Sequence, residues 1–221
     1  MIIAIDGASG SGKSTTAKLL ADKLNFIYLD TGAMYRAITL SFLNLSIDLE
    51  NINMVSNALN NTDLSIKHKS GKFSVHLNGK NVNNEIRSEK VNRLVSSVSK
   101  IDIIRKKMVE TQRNFSKNRN IIVEGRDIGS VVFPKAEFKF FLSADIKVRA
   151  ERRFKEIKKD ESINLMELAS NLKERDKIDS SRNISPLIKT KDAIEINTTF
   201  LTINEQVDKI YNIITNMEQL K

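Results

Sequence analysis

Gly7-Ala8-Ser9-Gly10-Ser11-Gly12-Lys13-Ser14 carries glycine, lysine and a hydroxyl in the spacing G-x-x-x-x-G-K-[ST], directly after an apolar run and directly before a helical one. Glycine lets backbone N–H groups converge on an anion without a Cβ in the way, and the helix presents its positive end to the same point. Lys13 is placed to reach the β- and γ-phosphates of a nucleoside triphosphate, and the Ser14 hydroxyl to ligate Mg²⁺; Gly7 through Thr15 form the donor-binding segment. The chemistry this spacing allows is binding a triphosphate and moving or hydrolysing its terminal phosphoryl group. The bland alternative is a glycine-rich strand-to-helix turn with no ligand.

A second set of anion-binding side chains lies elsewhere. Arg36, Arg105, Arg126, Arg175 and Arg182 fall in loops and lids where a second phosphate-bearing substrate could sit, and the planar guanidinium fork holds phosphate through two hydrogen bonds. Arg149, Arg152 and Arg153 share one face of a helix, which reads either as a lid closing on the triphosphate or as a basic solvated face. Arg175, Asp179 and Arg182 are spaced by four and then three, so a continuing helix would show one carboxylate between two guanidiniums. The competing reading is a surface ion-pair ladder, worth about 0.3 to 0.5 kcal/mol per pair.

These residues need a scaffold, and the apolar runs supply one. Short runs at Ile2 to Asp6, FIYLD ending at Asp30, Ile121 to Gly125, Glu137 to Leu142 and AIEIN ending at Asn197 alternate with helical patterns. That is the signature of a five-stranded parallel sheet with crossover helices, an α/β P-loop fold. Lys13 to Leu24 is a helix with Ala17, Leu20, Ala21 and Leu24 on one stripe, and Thr202 with Glu205 forms a capping box for the last helix. Between Asp63 and Asn84 the rhythm changes to apolar-polar alternation with Ser70-Gly71 and Asn78-Gly79 turn pairs, which predicts a small inserted antiparallel sheet. A helix from about Ser88 to Phe115 is expected to follow. From Asp145 to about Asp179 the chain is expected to be helical and strongly charged, as suits a cover over a phosphate site.

Composition narrows the classes. Lys and Arg number 36 against 27 Asp and Glu, a formal charge of +9, which fits anionic ligands without choosing among nucleotides, nucleic acid and acidic lipid. Without cysteine there is no disulfide, no thiol nucleophile and no Cys-ligated metal, and His68 with His76 makes a poor zinc site. No window approaches the roughly 18 apolar residues of a membrane span and no signal peptide is read, so the expectation is a cytoplasmic protein. No NKxD sequence of the guanine-reading kind is present.

At this point the sequence resembles the bacterial cytidylate kinases, through IDGASGSGKST, LDTGAMYRA, NNEIRS, EGRDIGSVVFP, KERDKIDSSRNISPL and AIEINTT, in order along nearly the whole chain. The resemblance implies a lid, an enlarged monophosphate-binding lobe made by the insert, and phosphorylation of CMP and dCMP by ATP with Mg²⁺. It implies that Arg36, Arg126 and Arg182 hold the CMP phosphate, that Ser96, Arg105 and Asp127 read cytosine, that Arg175 with Asp179 binds the sugar, and that Thr31 lines the pocket. Ser97 and Ser99 are alternatives to Ser96. Lys13, Arg126, Arg149 and Arg153 are the expected catalytic cations. Glu124 is expected either to hold a Mg²⁺-bound water or to cap its strand. One kinase domain is expected: a core of residues 1–35, 116–144 and 187–221, a lobe of 36–115, and a lid with acceptor helices of 145–186. The partners are ATP and CMP or dCMP, with no nucleic acid and no membrane, and the chain is expected to be a monomer. Rival readings are a kinase for another monophosphate, a nucleic-acid-binding ATPase switch and a non-catalytic binding module.

Overall fold

The structure of the 221-residue protein is a computed structural model and describes residues 1–69, 72–157 and 164–218. In chain order the elements are β1 (Ile2–Gly7), α1 (Lys13–Leu24), β2 (Ile27–Asp30), α2 (Thr31–Asn44), α3 (Ile52–Asn60), β3 (Leu64–Lys69), β4 (Lys72–Leu77), β5 (Lys80–Asn81), α4 (Glu89–Val98), α5 (Asp102–Ser116), β6 (Ile121–Gly125), β7 (Phe138–Ser143), α6 (Ile146–Ile157), α7 (Leu165–Ser180), β8 (Ile194–Asn197) and α8 (Ile203–Glu218). A 3₁₀ turn covers Glu85–Arg87 and a π-helical turn Ile128–Val132.

The main sheet has five strands in the order β2-β6-β1-β7-β8, and β1 runs parallel to both β6 and β7. Ile3, Ala4 and Ile5 are fully buried, as a strand with helices over both faces requires; this is why β1 reads as a continuous apolar run and not as an alternation. α1 buries Ala17, Leu20 and Ala21 and packs with α8, which buries Val207, Ile210 and Ile214. Truncating Leu20 to Ala would cost about 2 to 5 kcal/mol, part transfer and part cavity. The Thr202–Glu205 capping box forms: Thr202 N donates to Glu205 Oε2 at 2.7 Å, and Glu205 N donates to Thr202 Oγ1 at 3.3 Å.

The chain divides into two compact units, one of Met1–Tyr28 with Arg119–Lys221, the other of Leu29–Asn118. The second contains the inserted sheet, β3-β4-β5, antiparallel with Ile66 opposite Val75 and Leu77 opposite Lys80. Asn78 and Gly79 both take positive φ, 48° and 80°, the turn expected of that pair. Ser70-Gly71 lies outside the described residues. Ala33 and Ala37 of α2 pack with Val75, Leu77, Val82 and Ile86 in this unit's own core.

One expectation is corrected here. The single helix from Ser88 to Phe115 is two, α4 and α5, broken at Ser99 to Ile101. Ser99 Oγ donates to the Ser96 carbonyl at 3.1 Å, a side-chain bond that competes with the helical ladder, and Asp102 then opens a fresh first turn. α2 and α3 are helices that hydrophobic patterning had not separated from the loops around them.

Candidate active site

The phosphate-binding loop joins the carboxyl end of β1 to the amino end of α1. Gly7 takes φ 148°, and a Cβ there would lie 2.1 Å from the Leu142 carbonyl of the neighbouring β7, so the close strand approach demands glycine. Lys13 is buried; its ammonium donates to the Ala8 carbonyl at 2.6 Å and to Ser11 Oγ at 3.5 Å. Ser14 and Thr15 are exposed on the first turn of α1, while Thr16 Oγ1 donates to Gln206 Oε1 of α8 at 2.8 Å. Burial, and after it the Arg126 guanidinium, pushes the Lys13 ammonium down to about 7 against the opposing pull of Glu124 and Asp6.

Two further strand ends supply carboxylates beside this lysine. Glu124 of β6 is buried, and the Tyr28 hydroxyl of β2 donates to its Oε1 at 2.5 Å. Asp6 of β1 accepts from the backbone N–H groups of Ile128 at 2.9 Å and Gly129 at 2.7 Å, so it holds the turn that follows Arg126 and Asp127. Burial pushes the Asp6 carboxyl up to about 6, and those two amides oppose the rise. Asp127 is buried and its carbonyl accepts from the backbone N–H groups of Val131 and Val132.

Arg126 Nε donates to Asp179 Oδ2 at 2.9 Å, and Arg182 donates to Asp179 Oδ1. α7 ends at Ser180, so Arg182 reaches the carboxylate from the following turn, not from a continuing helix as the spacing had suggested. Burial would raise the Asp179 carboxyl, yet Arg126, Arg182 and Arg175 outweigh it and hold it below the usual carboxylate range.

The three arginines of α6 have separate partners. Arg149, buried, donates to the Ser9 carbonyl of the phosphate loop at 3.1 Å, to the Ala144 carbonyl at 3.0 Å and to Asp176 of α7 at 2.6 Å. Arg152 donates to the carbonyl and hydroxyl of Thr198, whose hydroxyl donates in turn to the Ser11 carbonyl at 3.0 Å. Arg153 is more exposed and pairs with Glu156 at 2.8 Å.

In the second unit, Asp30 caps α2 by accepting from Ala33 N at 2.8 Å, which sets buried Thr31 at the first helical position. Arg36 Nε donates to Asn92 Oδ1 at 3.4 Å. Arg105 is buried on α5, donates to the Ser99 carbonyl at 3.0 Å, and lies 5.4 Å from the centre of the Tyr35 ring. Ser96 is half-buried, Ser97 exposed and Ser99 buried with its hydroxyl on the Ser96 carbonyl.

Sequence reasoning passed over Asp6, Tyr28, Asp176 and Thr198, all in contact with the residues above. Asp6 had a local signal, a carboxylate at a strand end before a glycine loop. The other three meet their partners across 27 to 187 positions, where no spacing rule applies.

A glycine-rich loop with its lysine, set between the central strand of a parallel sheet and a helix, defines a P-loop phosphate-binding protein. An uncharacterized protein of solved structure from Eubacterium ventriosum, 15% identical, shares the fold with a TM-score of 0.53 over 97% of this chain and 98% of that one. The chain belongs to the cytidylate kinase family, whose pattern matches residues 3–216. It is 47% identical over 216 residues to a cytidylate kinase of Cytophaga hutchinsonii, covering 96% of this chain and 92% of that protein. It is also 47% identical over 211 residues to a cytidylate kinase of Fusobacterium nucleatum, covering 95% of each. Membership makes it an enzyme of the nucleoside monophosphate kinase class.

Proposed function

We propose that the protein transfers the γ-phosphoryl group of ATP to CMP and dCMP, giving ADP with CDP or dCDP. The observation that carries this reading is that Lys13 lies in the phosphate loop that follows β1 while Arg126, directly after the neighbouring β6, is held together with Arg182 on the Asp179 carboxylate. Such an arrangement can serve a donor and an acceptor phosphate together.

Gly7, Ala8, Ser9, Gly10, Ser11, Gly12, Lys13, Ser14 and Thr15 bind ATP. Arg36, Arg126 and Arg182 hold the acceptor phosphate, Arg175 and Asp179 the sugar, Ser96, Arg105 and Asp127 the base, and Thr31 lines the pocket. Phosphoryl transfer through a loose transition state asks for positioning and charge neutralisation, so no general base is required. Lys13, Arg149 and Arg153 stabilise the transferring group while Arg126 keeps the acceptor in line. The donor set suits Mg²⁺: Ser14 offers an exposed hydroxyl and Glu124 a buried carboxylate, both hard oxygen ligands. Among the described residues no group of three His, Cys, Asp or Glu side chains could hold a metal, which fits an ion carried mainly by the nucleotide phosphates. Mg²⁺ would neutralise charge on the β- and γ-oxygens.

The proposed organisation is a core of residues 1–35, 116–144 and 187–221, a monophosphate lobe of 36–115 and a lid with acceptor helices of 145–186. A cytoplasmic monomer is the accompanying reading; among the described residues no helix is long and apolar enough to cross a membrane. A coupled ADP-release assay over a panel of nucleoside monophosphates tests the function. CMP and dCMP are expected to lead the panel, with Lys13→Ala inactive. ATP turnover independent of any monophosphate, or a lead for UMP or AMP, overturns the reading.

A further inference from the structure

We propose that Thr198, clamped by Arg152, is a positioning residue for the phosphate loop, so that Arg152 serves the donor site by holding the loop's backbone and not by touching phosphate. The proposal rests on the reading of that loop as the ATP site.

Arg149 and Arg152 lie one helical turn apart on α6, and both reach the loop, Arg149 by donating straight to the Ser9 carbonyl at 3.1 Å. Arg152 closes its fork on Thr198, Nη2 donating to the carbonyl at 2.6 Å and Nη1 to the hydroxyl at 3.1 Å. With both acceptors on one residue, the planar guanidinium fixes the side chain of Thr198 as well as its backbone. The Thr198 hydroxyl stands 3.0 Å from the Ser11 carbonyl and 3.1 Å from the Ser143 carbonyl. Ser143 also accepts from the Thr198 amide at 2.8 Å, so the hydroxyl proton is left to serve Ser11. Thr198 and Ser11 are fully buried, and a bond lost between them is not made good by solvent.

A peptide unit is planar and trans, so its C=O and the N–H that follows point in opposite directions. Holding the Ser11 carbonyl on Thr198 therefore turns the Gly12 N–H away from Thr198, and holding the Ser9 carbonyl on Arg149 turns the Gly10 N–H away from α6. Gly10 and Gly12 both take positive φ, 77° and 92°, a conformation in which successive N–H groups can converge on an anion. Gly12 is also backed by Gln206, whose Oε1 lies 2.8 Å from where a Cβ would stand and accepts from Thr16 Oγ1 at 2.8 Å. The Ser11–Gly12 peptide is thus fixed from behind by the segment that follows β8, and Arg152 anchors that segment to α6.

The test is Thr198→Val, which keeps the branched shape and removes the hydroxyl, read by equilibrium titration of ATP and of CMP so that turnover is not needed. ATP affinity is expected to weaken about tenfold while CMP affinity holds within about twofold. Thr198→Ser restores the hydroxyl and is expected to bind ATP within about threefold of wild type. Arg152→Met keeps an apolar stem and is expected to weaken ATP about fivefold by the same route. If Arg152 acts through Thr198, adding Arg152→Met to Thr198→Val costs about twofold more at most; an arginine on phosphate multiplies the two losses to about fiftyfold. Arg152→Met decides alone should Thr198→Val fail to fold: ATP and ADP are expected to weaken alike, because loop amides cradle the phosphates common to both, whereas an arginine on the γ-phosphate weakens ATP alone. Unchanged ATP affinity, equal losses for ATP and CMP, a serine variant no better than the valine one, multiplied losses, or a loss confined to ATP over ADP overturns the proposal. Lys13→Ala is titrated alongside: if it binds ATP and turns over as wild type does, the donor-site reading itself is wrong, whatever Thr198 does.

Discussion

Asp179 takes Arg126 on one carboxylate oxygen and Arg182 on the other, and its own side chain is 2% exposed. One carboxylate therefore lines up two guanidiniums that are far apart in sequence, one after β6 and one after α7. An oxygen so engaged retains a lone pair for a further donor.

Asp179→Asn keeps the size and removes the charge. CMP and dCMP are both expected to lose about tenfold or more in kcat/KM, on the order of 1.4 kcal/mol, because the guanidiniums lose the group that aligns them. CMP is expected to lose more than dCMP, since only the ribose 2′-hydroxyl can donate to the carboxylate. Steady-state kinetics with both acceptors at saturating ATP decides it, and equal losses remove the sugar contact.

Asp6 gives a pH dependence. Its carboxyl is raised to about 6 in the folded protein, above its unfolded value near 4, so the folded state binds the proton more tightly. Stability from this group is present in full below the unfolded pKa and is lost as pH rises through the folded one. Relative to Asp6→Asn, wild type is expected to lose about 2 kcal/mol of unfolding free energy between pH 4 and pH 7. Denaturant titrations of both proteins at the two pH values check the slope; a parallel pair of profiles places the Asp6 titration elsewhere.

Asp127 is the proposed reader of the cytosine amino group. Cytosine presents an N4 donor where uracil presents an acceptor, so a carboxylate accepts from one and opposes the other. Asp127→Ala is expected to lower kcat/KM for CMP by about tenfold or more and to narrow the CMP to UMP ratio mainly through CMP. An unchanged ratio at saturating ATP removes the base-reading role while leaving the kinase intact.

The lid arginines separate by burial. Among the described residues Arg153 makes a solvent-screened pair with Glu156, worth about 0 to 1 kcal/mol, which it can leave for a phosphate at little cost. Arg149 is buried among Ser9, Ala144 and Asp176. Arg153→Ala is expected to reduce kcat with an unchanged melting temperature, and Arg149→Ala to reduce both. Thermal melts beside initial rates make the comparison; a full-rate Arg153→Ala removes that residue from the transition state.

What could be read from residues alone was what is written locally. The phosphate loop, α1 and β1 follow from consecutive residue types, and the Asn78-Gly79 turn and the Thr202–Glu205 box from pairs one and three positions apart. The inner strands β1 and β6 were legible because burial on both faces makes Ile2 to Ile5 and Ile121 to Val123 unbroken apolar runs, whereas β8 at the edge alternates, with Glu195 and Asn197 exposed. The break at Ser99 was missed because α4 and α5 carry a compatible apolar periodicity on either side. Asp176 and Arg149, like Tyr28 and Glu124, meet only through the fold, and a charged or aromatic side chain in sequence does not announce its partner. The family motifs named Arg126 and Asp179 without disclosing that they are bonded to each other.

The pairing of Arg126 and Arg182 with a single carboxylate has a practical side. Arg175 adds a third guanidinium acting on the same carboxylate, so these guanidiniums outnumber the single charge of Asp179. A doubly charged phosphate would restore the balance, and so would any small tetrahedral anion. Sulfate and inorganic phosphate in a buffer should therefore raise the melting temperature of the protein and inhibit competitively against the acceptor nucleotide. Affinities measured in phosphate buffer would be understated, and the choice of buffer becomes part of defining the substrate constants.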